Sequence, residues 1–279
     1  FKGSFRKIFS RKIMMFRDLK LKITKLIPIK LQVPIKYWYC LARGYIEPEM
    51  ALLTRIISPS SRAIDVGGNR GIYTYFISKL CSKIEVFEPN SSCFEVLYAW
   101  SSSKNGINIH KSALSNEAGV SKLFIPVDDN GVEHDSSGSI EESNSLTTTF
   151  ETVPLQRLDE FSFENVDFIK IDVEGHELSV IEGAKKTLIE CNPALLIEIE
   201  QRHNKQPIEE IFIFIKSFGY SGFFLKNGFL MDISSFNKFS LQKEENLNTN
   251  DLYVNNFLFL SNERLKKGNY KGLAHIIKK

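Results

Sequence analysis

The sequence predicts an α/β fold with a mostly parallel sheet, on three observations. Short apolar runs alternate with segments of helical period through the middle of the chain, the order that builds parallel sheets. The 279 residues can bury a large core, and 43% hydrophobic against 25% charged residues excludes a disordered chain. No apolar run approaches the roughly 18 residues that a membrane span needs.

Residues 5–30 can be laid on a helix with Phe5, Ile8, Phe9, Phe16, Leu19, Ile23 and Leu26 in one stripe, interrupted by Lys12. Lys and Arg cover the other face. Such a helix can lie on an anionic membrane, or pack on the body or on a second copy of the chain. Pro28 and Pro34 are expected to break the pattern. RAIDV at 62–66 reads as a buried strand. Residues 71–80 then place Ile72, Tyr75, Phe76 and Leu80 on one helical face. KIEVFE at 83–88 is the next strand and 91–102 the next helix, with Ser91 as its expected N-cap. Residues 107–112 form a third strand. Strands at 120–127 and 147–153 flank a polar loop, 128–145, expected to be exposed and mobile. Further strands follow at 166–172, 194–199, 221–225, 229–233 and 253–260. Helices are expected at about 176–191 and at 208–218.

Net charge is +3, unevenly placed: residues 1–36 carry 11 Lys and Arg against Asp18, for +10, leaving −7 on the rest. Attraction to an anionic surface therefore belongs to the first 36 residues. Cys40, Cys81, Cys93 and Cys191 form no CxxC pair and no zinc spacing, which points to free thiols in a reducing compartment. The start, FKGSFRKIFSRK, has charge but no continuous apolar run, so no signal peptide is expected there.

The most informative segment is Asp65-Val66-Gly67-Gly68-Asn69-Arg70-Gly71, between a strand and a helix. Glycines there allow a sharp turn and close approach of a ligand. Glu88 ends the next strand, where a carboxylate accepts hydrogen bonds from two ribose hydroxyls. A dinucleotide fingerprint, G-x-G-x-x-G, fails twice, because Asn69 and Ile72 stand where its second and third glycines belong. An S-adenosylmethionine site needs no pyrophosphate cradle. It needs a carboxylate near the first strand's end and small residues in the loop, and Asp65, Gly67 and Gly71 supply them.

The chain resembles the FkbM family of S-adenosylmethionine-dependent methyltransferases. The matching pieces are YIEPE at 45–49, DVGGNRGIYT at 65–74, VFEPN at 86–90, SALSNEAG at 112–119, FIKIDVEGHEL at 168–178, ALLIEIEQRH at 194–203 and VNNFLFL at 254–260. The family usually has alanine where Gly68 stands. The resemblance implies a Rossmann-like class I methyltransferase with a mostly parallel seven-stranded sheet, its last strand antiparallel, and helices on both faces. The match spans roughly residues 45–260, so the methyltransferase domain is expected at 45–279, preceded by the basic amphipathic arm at 1–44. Asn69 joins the cofactor loop. The third strand lacks the acid that many methyltransferases place near adenine, so Ser112 and Ala113 are expected to meet the adenine through backbone groups.

Lys170, Asp172 and Glu174 alternate along and just past an otherwise apolar strand. Charges at period 2 in a buried strand are costly unless they face a cleft or one another. Ligands of open parallel sheets bind at strand carboxyl ends, where Asp172 and Glu174 stand. A brace between Lys170 and Asp172 or Glu198 is the structural alternative. Methyl transfer to a hydroxyl needs in-line positioning and a base. Asp172, His176 and His203 are the candidates for base or orienting group, with Lys170 beside them. Glu174, Glu198 and His134 are candidate substrate contacts. His110, within a strand, and His275, in the tail, are weaker candidates. Asp172, Glu174, Glu198 and His203 could also hold a divalent cation, magnesium suiting oxygen ligands. No D-x-D or H-x-x-x-H spacing supports that, and no metal ligand is assigned.

Three functions compete. The first is O-methylation of a sugar hydroxyl in a polysaccharide, glycolipid or nucleotide-sugar precursor, favoured by the polar loop. The second is RNA 2′-O-methylation, suggested by Lys170, Asp172, Glu198 and the basic start but lacking an aromatic–basic groove in the body. The third is a membrane-docked S-adenosylmethionine-binding module without turnover. A cytoplasmic enzyme is expected, with peripheral contact at the inner face of the membrane through residues 1–36. A glycan or small-molecule acceptor and a second copy of the chain are the candidate partners, and DNA is not.

Overall fold

The computed structural model describes residues 26–127, 138–141, 148–247 and 252–278. The expected amphipathic helix at 5–30 therefore lies outside the described residues except for its last five positions. Among the described residues no helix is long and apolar enough to cross a membrane.

The first described helix, α1 (Ile29–Arg43), contains Pro34, which was expected to break it. Packing overrides the lost N–H bond: Val33, Tyr37 and Cys40 are buried along one face, and Val33 sits against Gly71. Gly44, left-handed at φ 69°, ends the helix. A 3₁₀ segment, Pro48–Arg55, leads to the sheet.

The central sheet has nine strands. β1 (Arg62–Val66), β2 (Lys83–Phe87), β3 (Ile107–His110), β7 (Val166–Ile171) and β8 (Ala194–Glu198) lie parallel in the order β3-β2-β1-β7-β8. β11 (Asn256–Ser261) inserts antiparallel between β8 and β9 (Tyr220–Lys226). These seven strands are the expected class I arrangement. The remaining two extend the edge: β10 (Phe229–Asp232) folds back on β9, and β12 (Ile277–Lys278) pairs with β10. The tight Lys226–Phe229 turn, with Asn227 and Gly228 both at positive φ, makes that addition possible.

Each face of the sheet carries its own core. On one, Ile64, Ile169, Ile171, Leu195 and Ile197 meet α4 (Glu177–Glu182), α5 (Lys185–Cys191) and α6 (Ile208–Ser217). On the other, Ala63, Phe168 and Leu196 meet α1, α2 (Ile72–Ile77) and α3 (Ser91–Ser101). Asn90, rather than Ser91, caps α3: its side chain accepts from Cys93 N at 3.0 Å.

The helix expected over 176–191 is two helices. Gly183 lies at the break, where a Cβ would come within 2.0 Å of the Ser115 carbonyl oxygen. The backbone of that passing segment leaves no room for a continuous ridge. A second sheet was not foreseen. β4 (Ala113–Leu114), β5 (Gly119–Pro126) and β6 (Thr148–Gln156) form it in the order β4-β6-β5. It flanks the carboxyl ends of β1, β2 and β7. Of the polar loop expected at 128–145, only 138–141 is described. All four cysteines are free thiols.

Candidate active site

Parallel strands end together, so the loops after β1, β2, β7 and β8 converge at one rim. The loop after β1 is tight. Gly67 (φ 80°) packs so closely on β7's exit that a Cβ would meet the Asp172 carbonyl oxygen at 1.9 Å. Gly68 is also tightly placed: a Cβ there would lie 2.4 Å from Val86 Cγ1. Asn69 takes a positive φ of 48° and donates its backbone N–H to Glu88 at 2.6 Å. Glu88 also accepts from Asn90 N at 2.8 Å. Burial pushes the Glu88 carboxyl up to about 7, against the pull of those two N–H groups.

Two cavities open on either side of this loop, and Gly67, Asn69 and Asp172 line both. The smaller, about 50 Å³, is lined by Glu88, Pro89, Asn90, Ala113, Leu114 and His176 among others. The larger, about 230 Å³, is lined by Asp65, Lys170, Tyr73, Glu47, Lys36 and Tyr45 among others. Ala113 thus reaches the cavity wall. Ser112 does not line it: the side chain is buried, with its Oγ lacking a hydrogen-bond partner. Asn90 Nδ2 is likewise buried and unpartnered, in a residue that lines the smaller cavity.

Alternation along the strands puts Asp65 and Lys170 side by side, in register on β1 and β7. Asp65 is buried and accepts from Thr74 Oγ1 at 2.6 Å, and burial raises its pKa. Lys170 is 1% exposed, with Nζ 3.4 Å from Asn256 Oδ1, 4.0 Å from Asp172 Oδ2 and 5.1 Å from the centre of the Tyr73 ring. Burial opposes its charge, but Asp172, Glu198, Glu47 and Asp65 together raise its pKa. The expected brace is therefore loose: Lys170 sits in a ring of acids at a distance from each, not clamped to one.

Asp172 follows at the strand's end. Burial pushes its carboxyl up to about 7, with Lys170 pulling down and Glu174 and Glu47 pushing up. Glu198 accepts from Asn255 Nδ2 at 2.7 Å, and burial beside Asp172 holds its pKa well above the usual carboxylate range.

The histidines divide. His176, at the start of α4, is buried between Ser115 Oγ (3.0 Å) and Glu141 Oε1 (3.2 Å), in the wall of the smaller cavity. His203 Nε2 pairs with Glu174 Oε2 at 2.9 Å, and that pairing raises its pKa in spite of burial. Glu174 reaches it from a left-handed backbone (φ 53°), and Gly175 packs on the His203 carbonyl. His110 stacks on Phe87 and meets Glu85 at 3.0 Å. His134 lies outside the described residues.

The proposed cation set is not the one the fold assembles. Among the described residues, the carboxylate and imidazole atoms that converge within 4.8 Å belong to Glu174, Glu200 and His203, without Asp172 or Glu198. Glu200 is already bound by Arg202 through both oxygens and by the Tyr253 hydroxyl. A carboxylate so neutralised is a poor magnesium ligand.

Sequence reasoning missed Glu47, Tyr73 and Asn90 as cavity residues. Tyr73 donates to Glu47 Oε2 at 2.5 Å, and Asn256 Nδ2 reaches the same oxygen at 3.1 Å. Glu47 and Tyr73 stood inside quoted motifs, YIEPE and DVGGNRGIYT, so the signal was present without a role attached.

A family profile described as the methyltransferase FkbM domain matches residues 65–221, more than half of the chain. Among solved structures, the chain is similar to the methyltransferase FkbM of Methylobacillus flagellatus, at 17% identity and a TM-score of 0.47. That match covers 73% of this chain and 44% of the other, so this chain spans less than half of that protein's length. An rRNA methylase from Streptococcus thermophilus matches at 12% identity and a TM-score of 0.43, covering 76% and 93%. A SAM dependent methyltransferase from Aquifex aeolicus matches at 17% and 0.38, covering 86% and 96%. No curated protein matched in the sequence comparison. The profile over 65–221, on a sheet with six parallel strands and an antiparallel one inserted among them, decides the matter: the chain belongs to the FkbM family of S-adenosylmethionine-dependent methyltransferases.

Proposed function

We propose that this protein is an O-methyltransferase acting on a sugar hydroxyl in a polysaccharide, glycolipid or nucleotide-sugar precursor. The observation that carries the reading is the position of Asp172, which lines both cavities where they meet. The smaller cavity suits the nucleoside end of S-adenosylmethionine. Glu88 has lone pairs left for two ribose hydroxyls, the unpartnered Asn90 Nδ2 is a donor, and Ala113 offers backbone groups. Asp65 and Gly67 would hold the amino-acid end, while Gly71, in neither cavity wall and packed against Val33 and Leu97, only shapes the turn. When bound, the cofactor supplies a methyl group on a positively charged sulfur.

The chain's own residues then have distinct work. Asp172 would hold the acceptor hydroxyl and take its proton as that hydroxyl oxygen receives the methyl group. A carboxyl near 7 is a competent base at neutral pH. Lys170, held cationic, orients the Asp172 carboxylate across 4.0 Å. His203, tied to Glu174, fixes the loop beyond Asp172, and His176 shapes the cofactor wall. Glu47, in the wall of the larger cavity, remains as an acceptor for sugar hydroxyls, and Glu174 and Glu198 add negative charge around Asp172. The same acids disfavour RNA, whose phosphates they would repel.

The test is incubation with isotopically labelled S-adenosylmethionine and the glycans and nucleotide sugars of the source organism. Mass spectrometry should find a gain of one CH₂ on a sugar. Label transferred only to RNA, or cofactor binding with no transfer to any glycan fraction, would overturn the reading.

A further inference from the structure

Helix α1 has two apolar faces, and the fold uses one. Val33, Tyr37 and Cys40 pack inward. On the opposite side Leu31, Ile35 and Trp38 are 49%, 42% and 57% exposed, with Ala42 continuing the row. Their spacing, i, i+4, i+7 and i+11, is one stripe of a helix. Lys30 flanks the stripe on one side, and Lys36 and Arg43 on the other. No acid occurs between Leu19 and Ile46. Tyr45 lies just past the helix at 58% exposure. An exposed row that includes Trp, between basic flanks, is the composition of a helix lying in a lipid–water interface.

We propose that this face docks the protein on an anionic lipid leaflet, and that the larger cavity opens toward that leaflet to receive an amphiphilic acceptor. Charge selects the occupant. A second copy pairing about a two-fold axis would bring like basic flanks together. Residues 1–25, with nine Lys and Arg against one Asp, would do the same if they covered the stripe. Anionic headgroups complement the flanks and acyl chains complement the stripe. The cavity reaches the flank of this face, since Lys36 and Tyr45 line it. Docking stands independently of methyl transfer; only the identity of the acceptor as a glycolipid rests on the function proposed above.

The chain supplies its own reporter. Its two tryptophans are Trp38, on the stripe, and Trp100, buried at 4% exposure. The full chain is mixed with phosphatidylcholine vesicles, with and without phosphatidylglycerol, some carrying brominated acyl chains. The anionic vesicles should shift Trp38 emission to the blue, and bromine should quench it, with both effects weakening as salt is added. The double variant Leu31→Asp/Ile35→Asp keeps the reporter and should lose about tenfold or more of the partitioning. Its melting temperature and its affinity for S-adenosylmethionine should stay at wild-type values, which separates failure of docking from failure of the cofactor site. Sedimentation with vesicles without Trp38 quenching would assign lipid binding to residues 1–25 alone and overturn the proposal. So would equal binding by the double variant, or a wild-type dimer that the double variant converts to monomer.

Discussion

Strand β7 carries two buried charges, Asp167 near its start and Lys170 near its end, and the protein treats them in opposite ways. Asp167 is clamped: Arg264 Nη1 lies 2.7 Å away, and Ser58 N donates at 3.2 Å. Those donors outweigh burial and lower its pKa. Lys170 has no such clamp, with its nearest carboxylate oxygen at 4.0 Å, and its neighbour Asp172 is driven up to about 7. The amino end of the strand is a satisfied brace. The carboxyl end is left electrostatically unsettled, at the place where a proton has to move. Paired geometry with a depressed acid reads as structure, and loose geometry with an elevated acid reads as chemistry.

The contrast can be broken at either end. Asp172→Asn should cut turnover by roughly a hundred- to ten-thousand-fold, the contribution of a general base, with the fold intact. Steady-state kinetics beside a thermal melt checks this, and a wild-type rate would move Asp172 into the bracing class. Arg264→Ala should do the reverse, destabilising by about 3 kcal/mol as Asp167 loses its partner, while the folded fraction keeps its turnover. Urea titration with activity per folded molecule measures both. Glu88→Ala should weaken S-adenosylmethionine binding about tenfold or more, through loss of charge-assisted hydrogen bonds, as read by calorimetry.

The pH dependence sharpens the comparison further. At Asp172 the rate should fall about tenfold per unit as pH drops below about 7. Stability should move the other way there. A folded-state pKa above the unfolded value means that the folded state holds the extra proton, so Asp172 and Glu88 weaken the fold as pH climbs from the carboxylate range toward 7. Asp167 has the opposite sign: its stabilisation is present above the unfolded aspartate range and is lost as pH falls through its lower folded pKa. Urea titrations of Asp172→Asn and Asp167→Asn across pH should show slopes of opposite sign relative to wild type.

The order of strands and helices was legible because hydrophobic period reports burial directly: RAIDV and VDFIKI could only be buried strands beside helices. Asp65, Glu88 and Asp172 were legible because a charge ending an apolar run needs a reason. Other features were not, for definable causes. Pro34 argued against a helix, and only the fit of Val33 and Tyr37 on the body reverses that. The second sheet depends on a two-residue strand, Ala113–Leu114, too short to leave a period. The split at Gly183 is set by a carbonyl 68 positions away in sequence, which no local pattern contains. The Glu47–Tyr73 pair joins two segments whose separate motifs say nothing of their contact.

Gly183 also matters for anyone reshaping the cofactor pocket of this scaffold by mutation. It touches neither cavity, yet it rests on the backbone of Ser115, whose hydroxyl holds His176 in the cavity wall. Adding one methyl group at position 183 would lift that backbone, release the imidazole and redraw the pocket from behind. The helix break thus works as a remote screw on the site's width, and selection for altered cofactor fit would find it among positions that a map of lining residues leaves out.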